Sequence, residues 1–142
     1  MHVSVLPHQP PGRNTPGDDL SPEERVLVEG LLEAYRHGAF PMGDLYSGRI
    51  DFFETDPRGV IPLGAFNTPD GLSVPRTLRQ KIRQRRFRVT TDTAFRGVVC
   101  QCADPRRPGG WITPDLVTMY ELLFRAGYAH SVEAWAPRTT PA

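Results

Sequence analysis

The sequence is poor in cysteine, in lysine and in long apolar runs. Cys100 and Cys102 are its only cysteines. At i, i+2 they are badly placed for a structural disulfide, and no secretory signal precedes them. A soluble chain in a reduced, cytoplasmic setting is therefore expected. On a helix, positions i and i+2 point roughly 200° apart, so the pair cannot share one tetrahedral metal ion. No other Cys or His pair has ligand spacing, and neither a metal site nor a cofactor is expected. No apolar run approaches about 18 residues, which excludes a membrane-spanning helix. A Gly-rich phosphate loop, a nucleophile elbow and a pair of catalytic carboxylates are also missing. Composition and spacing therefore nominate no catalytic residue.

Lys81 is the single lysine among 17 basic residues, and the formal net charge is only +1. The total says nothing about partners, but the distribution does. Arg76, Arg79, Lys81, Arg83, Arg85, Arg86 and Arg88 crowd one segment, and no acid occurs between Asp70 and Asp92. Arg76, Arg79, Arg83 and Arg86 recur at i, i+3, i+7 and i+10, along one side of a helix. A solvated helix face is the plain reading, but such faces usually mix signs. An unneutralised row of guanidiniums suits phosphates, which Arg grips in bidentate fashion.

Residues 1–20 carry Pro7, Pro10, Pro11 and Pro16 and show no periodicity, as expected of a loose lead. A helix begins at Ser21, with Ser21 and Glu24 forming a capping box and Pro22 at the first helical position. Val26, Leu27, Leu31, Ala34 and Tyr35 follow its spacing, and Gly38 ends it. Phe40-Pro41 reads as a turn, Phe52-Phe53 as a short apolar patch, and Asp56 to Gly59 as a further turn before Val60-Ile61-Pro62. Pro69-Asp70-Gly71 closes a small N-terminal domain, 21–70. A second helix starts near Pro75, with Val74, Leu78 and Ile82 as a narrow apolar stripe.

Phe87 to Thr91 then reads as a strand, and Ala94 to Ala103 as a helix with Phe95, Val98, Val99 and Cys102 inward. Thr113 caps a heavily buried helix that Gly127 ends. Ala129 to Ala136 alternates as a strand, with His130, Val132 and Ala134 on one face and Ser131, Glu133 and Trp135 on the other. His130 and Glu133 thus form no obvious pair. Residues 137–142 are a tail. Trp111, between Gly109-Gly110 and Ile112-Thr113, reads either as a wall against a ligand or as a core anchor. The fold class is α+β. Two strands and two helices make a poor closed domain, so residues 71–136 are expected to form an incomplete one.

Ala34 to Pro41, Asp56-Pro57-Arg58, Phe87 to Thr90, Gly110-Trp111-Ile112-Thr113 and Gly127 to Trp135 together resemble the leucyl/phenylalanyl-tRNA–protein transferases. The resemblance runs from about Ser21 to Trp135. It implies transfer of Leu or Phe from aminoacyl-tRNA to proteins bearing an N-terminal Arg or Lys, marking them for degradation by the N-degron route. It also implies a small N-terminal domain followed by an acetyltransferase-like (GNAT) domain, of which Phe87 to Trp135 would be the opening strand-helix-helix-strand. By the same resemblance, Arg76, Arg79, Lys81, Arg83, Arg85 and Arg86 would grip the tRNA acceptor arm, and Trp111 would hold the 3′ aminoacyl-adenosine.

The chain departs from the family at Phe40-Pro41-Met42, where Phe-Pro-Trp is usual, and at Phe52 to Thr55, where Trp-Trp-Ser-Pro is usual. The strands and helices that complete the family's pocket are not found, so the chain is expected to be truncated and inactive alone. The alternatives are a tRNA acceptor-arm binding module, possibly joined by a separately encoded C-terminal half, or a non-functional remnant.

Overall fold

A computed structural model describes residues 17–59, 71 and 73–136. The N-terminal helix α1 (Pro22–Arg36) starts as its capping box demands. The Glu24 amide donates to Ser21 Oγ at 3.2 Å, and the Ser21 amide donates to Glu24 Oε2 at 2.9 Å. It ends at Gly38, whose φ of +87° only glycine adopts without strain. The Arg58 guanidinium donates to the Gly38 carbonyl and fastens the Asp56-Pro57-Arg58 turn to that helix end. The buried stripe is centred on Val28 and Leu31, while Val26 and Leu27 are exposed. Leu31 is buried as the spacing predicts, whereas Val28 takes the inward place that the spacing gives to Val26 and Leu27.

Phe40-Pro41 is not a turn, and Phe52-Phe53 is not an isolated patch. They belong to β1 (Phe40–Gly43) and β2 (Ile50–Phe53), antiparallel strands with Phe40 opposite Phe53. The turn lies further on, at Asp44, whose carboxylate accepts the amide of Tyr46 at 2.8 Å and the hydroxyl of Ser47 at 2.9 Å. Pro41 is tolerated because β1 has a neighbour on one side only within this two-stranded sheet.

The basic helix α2 (Arg76–Arg83) is followed by β3 (Arg88–Thr91), α3 (Phe95–Cys102), α4 (Pro114–Arg125) and β4 (Val132–Trp135). β3 and β4 pair antiparallel, with Arg88 opposite Trp135. The fold of the described residues is thus α+β with two small antiparallel sheets. Thr113 caps α4 by accepting the Leu116 amide, and Leu116 is wholly buried beneath it. Phe95 of α3 stacks on Phe124 of α4, with ring centroids 4.3 Å apart.

One apolar core joins the start of the chain to α4. Leu20, Val28 and Leu31 meet Leu122, Leu123 and Ala126. Leu20 closes the segment expected to stay loose, yet it is buried. Asp19 and Glu24 both pair with Arg125, the former at 3.8 Å. Val60-Ile61-Pro62, the loop before Gly71, residues 1–16 and the tail lie outside the described residues.

The β1–β2 hairpin is seated by a close approach. The Gly43 amide donates to the Trp111 carbonyl at 2.8 Å. A Cβ on Gly43 would run into Thr113 Cγ2, with Thr113 Oγ1 at 2.8 Å and the Trp111 carbonyl at 3.0 Å. Thr113 is buried and caps α4, so it has nowhere to retreat. Gly43→Ala is expected to cost about 1–3 kcal/mol by overpacking. A urea midpoint equal to the wild type's would show that the hairpin is not seated this way.

Candidate functional site

Arg76, Arg79, Gln80 and Arg83 line one shallow surface groove of about 440 Å³, so the spacing argument holds for the first three arginines. It fails for the fourth. The helix ends at Arg83, and Arg85 takes a left-handed φ of +50°. Arg86 therefore leaves the row, and its Nε donates to Gln84 Oε1 at 3.0 Å. Lys81 lies within α2 but does not line the groove. No residue of α2 is buried. Of the expected apolar stripe, Val74 is half-buried while Leu78 and Ile82 are exposed. The groove arginines make no ion pair with a described carboxylate. Arg96 and Arg106 elsewhere are clamped to Glu121 and Asp104, each at 2.6 Å. Those acids neutralise Arg96 and Arg106, and no described acid does the same for Arg76, Arg79 or Arg83.

A separate cavity of about 830 Å³ opens between α1, α3, α4 and the loop 107–112. Its wall includes Phe95, Val98, Val99 and Cys102 of α3 together with Trp111 and Ile112. Of the inward face of α3 read from the sequence, Phe95 is buried against Phe124, Val98 and Val99 are half-buried, and Cys102 faces the open space. For that reason Cys102, expected in the core, is exposed. Trp111 is half-buried in this wall. Tyr35 and Tyr120 also line the cavity, and their hydroxyls lie 3.4 Å apart. Burial, reinforced by the bond from Tyr35, pushes the Tyr120 phenol above its ordinary range and keeps it neutral.

The alternation of β4 places a carboxylate where an apolar residue would be usual. Glu133 is buried. Its Oε1 accepts the Ser131 hydroxyl at 2.6 Å and the Ala94 amide at 3.2 Å; its Oε2 accepts Thr90 and Thr93 hydroxyls at 2.6 and 2.9 Å. The bond from Ser131, then that from Thr90, lowers its pKa to about 2. Ala94 offers α3 no side-chain cap, so Glu133 also supplies the anion at that helix N-terminus. Trp135 Nε1 completes the set by donating to Thr90 Oγ1 at 2.7 Å.

On the other face, His130 Nδ1 lies 2.8 Å from Asp92 Oδ2, and His130 lines the cavity. The sequence separates His130 from Glu133, as the structure does, but gives no sign of Asp92. That partner is 38 residues away. The only local hint is an acid at the end of a Thr-rich strand.

The family model of the leucyl/phenylalanyl-tRNA protein transferases matches residues 67–140. Proteins named leucyl/phenylalanyl-tRNA–protein transferase match over most of the chain. The one from Salinibacter ruber is 43% identical over 118 residues, covering 83% of this chain and 46% of the relative. The one from Aromatoleum aromaticum is 42% identical over 132 residues, covering 92% and 50%. The chain belongs to the leucyl/phenylalanyl-tRNA–protein transferase family. It spans about half the length of the curated relatives it matches.

Proposed function

We propose that this chain serves the transfer of Leu or Phe from aminoacyl-tRNA to a protein with an N-terminal Arg or Lys, and that its described part holds the acylated RNA. The cavity takes the apolar aminoacyl side chain, and Trp111 in its wall takes the 3′ adenosine. Arg76, Arg79 and Arg83, with Lys81, Arg85 and Arg86 beside them, take the acceptor-arm backbone. One observation carries the reading: a largely apolar cavity of about 830 Å³ has Trp111 in its wall. That size is ordinary for a small-molecule site.

The chemistry asked of the protein is modest. The amine of the acceptor protein attacks the ester carbonyl, the new C–N bond forms, and the C–O bond to the tRNA breaks. The ester is already activated, so holding both reactants in place supplies much of the rate. The order β3, α3, α4, β4 fits the opening of an acetyltransferase-like domain. Cytoplasmic protein turnover by the N-degron route is the process this activity would serve. No helix among the described residues is long and apolar enough to cross a membrane.

Calorimetry with a stable 3′-amide of phenylalanine and adenosine tests the reading. The chain is expected to bind it, and Trp111→Ala to weaken binding about tenfold or more, the size of one lost base–aromatic stack. Unchanged affinity in Trp111→Ala would remove Trp111 from the site.

A further inference from the structure

The transferase reading leaves the His130–Asp92 pair without a role. Asp92 is held rigidly. Its Oδ1 accepts the Ser131 amide at 2.8 Å, and its own amide donates to the Ser131 carbonyl at 3.0 Å. With the backbone fixing the carboxylate, Oδ2 is aimed at His130 Nδ1. An imidazole in the tautomer whose Nδ1–H donates a hydrogen bond to Asp92 Oδ2 presents Nε2 as a lone-pair acceptor. No described residue bonds Nε2. The ring is largely exposed at the cavity wall, beside Tyr128 and Ala129.

We propose that this pair is the subsite for the ammonium group of the aminoacyl end. The inference rests on the reading of the cavity as the aminoacyl site. Nearly all of the lining is apolar or phenolic; Arg107 and His130 are its basic side chains. A Leu or Phe ester brings an apolar side chain and one cation. Arg107 repels that cation. In that tautomer the His130–Asp92 pair carries a net negative charge and one acceptor atom, so it favours an N–H⁺ donor over a hydroxyl. No proton need leave the ligand; the bond is a charge-assisted hydrogen bond.

The test compares two adenosine 3′-amides by calorimetry, one of phenylalanine and one of 3-phenylpropanoic acid, which lacks only the amino group. The wild-type chain is expected to prefer the amino compound about tenfold. His130→Ala and Asp92→Asn are each expected to bring the two affinities to within about twofold, chiefly by weakening the amino compound. Thermal unfolding of both variants checks that the fold is intact. If both compounds bind the wild type equally, or if the preference survives in both variants, the ammonium subsite is refuted while the cavity reading stands. If neither compound binds, the cavity reading falls and the subsite with it.

Discussion

Lowering the pH from about 5 to 2 is expected to strip the folded chain of stability, and Glu133→Gln is expected to remove much of that dependence. The Glu133 pKa drops from an ordinary value of 4.5 to about 2 in the folded chain, chiefly through the Ser131 and Thr90 hydroxyls. A depressed folded pKa means that the unfolded chain takes up a proton first as pH falls. The stabilisation is therefore complete above about pH 5, declines below the ordinary value, and is gone once the folded carboxylate is also protonated near pH 2. Glu23, Glu24, Asp44 and Asp104 are lowered as well, by hydrogen bonds that Glu133 does not share. They remain in the Glu133→Gln variant, so the difference between the two stability curves reports Glu133 alone.

At neutral pH the amide introduced by Glu133→Gln keeps one acceptor oxygen and turns its other atom into a donor, facing either Ser131 and Ala94 or Thr90 and Thr93. Glu133→Ala leaves Ser131 buried without its partner and α3 without its cap. Its Tm is expected to fall by more than about 8 °C. Urea midpoints measured from pH 2 to pH 7 decide the matter. Parallel curves for the wild type and Glu133→Gln would show that the carboxylate is not the acid-sensitive group.

Glu133 also marks where the sequence stops being legible. What is local is readable. The Ser21–Glu24 box, the Thr113 cap and the stop at Gly38 each depend on residues within a turn of one another. The period-two alternation of β4 is readable too, but not which face is buried. That depends on Thr90, Thr93 and Ala94, some forty residues earlier, which satisfy a carboxylate that would otherwise be driven outward. The hairpin is hidden for a related reason. Phe40-Pro41 has the chemistry of a turn, and only the pairing of Phe40 with Phe53 makes it a strand. Cys102 is misplaced by its spacing because a helical period reveals an inward face without revealing whether that face meets side chains or a cavity. The arginine row is cut short by the left-handed Arg85, a backbone choice that no periodicity announces.

The shortened row still makes a sharp expectation. Arg76→Ala, Arg79→Ala and Arg83→Ala combined are expected to lower the affinity for aminoacyl-tRNA about a hundredfold at low salt. The log–log dependence of affinity on salt should flatten by about 2 to 3, since each phosphate neutralised contributes about 0.7 to 0.9 to the slope. The comparison that gives this force is Arg106→Ala. Arg106 is equally exposed and equally charged, but Asp104 holds it in a bidentate pair. Its removal is expected to leave the slope alone. Charge for charge, the arginines thus separate by whether a described carboxylate already pairs with them. A triple variant that keeps the wild-type slope, or an Arg106→Ala variant that flattens it by a third as much, would reduce α2 to a solvated face.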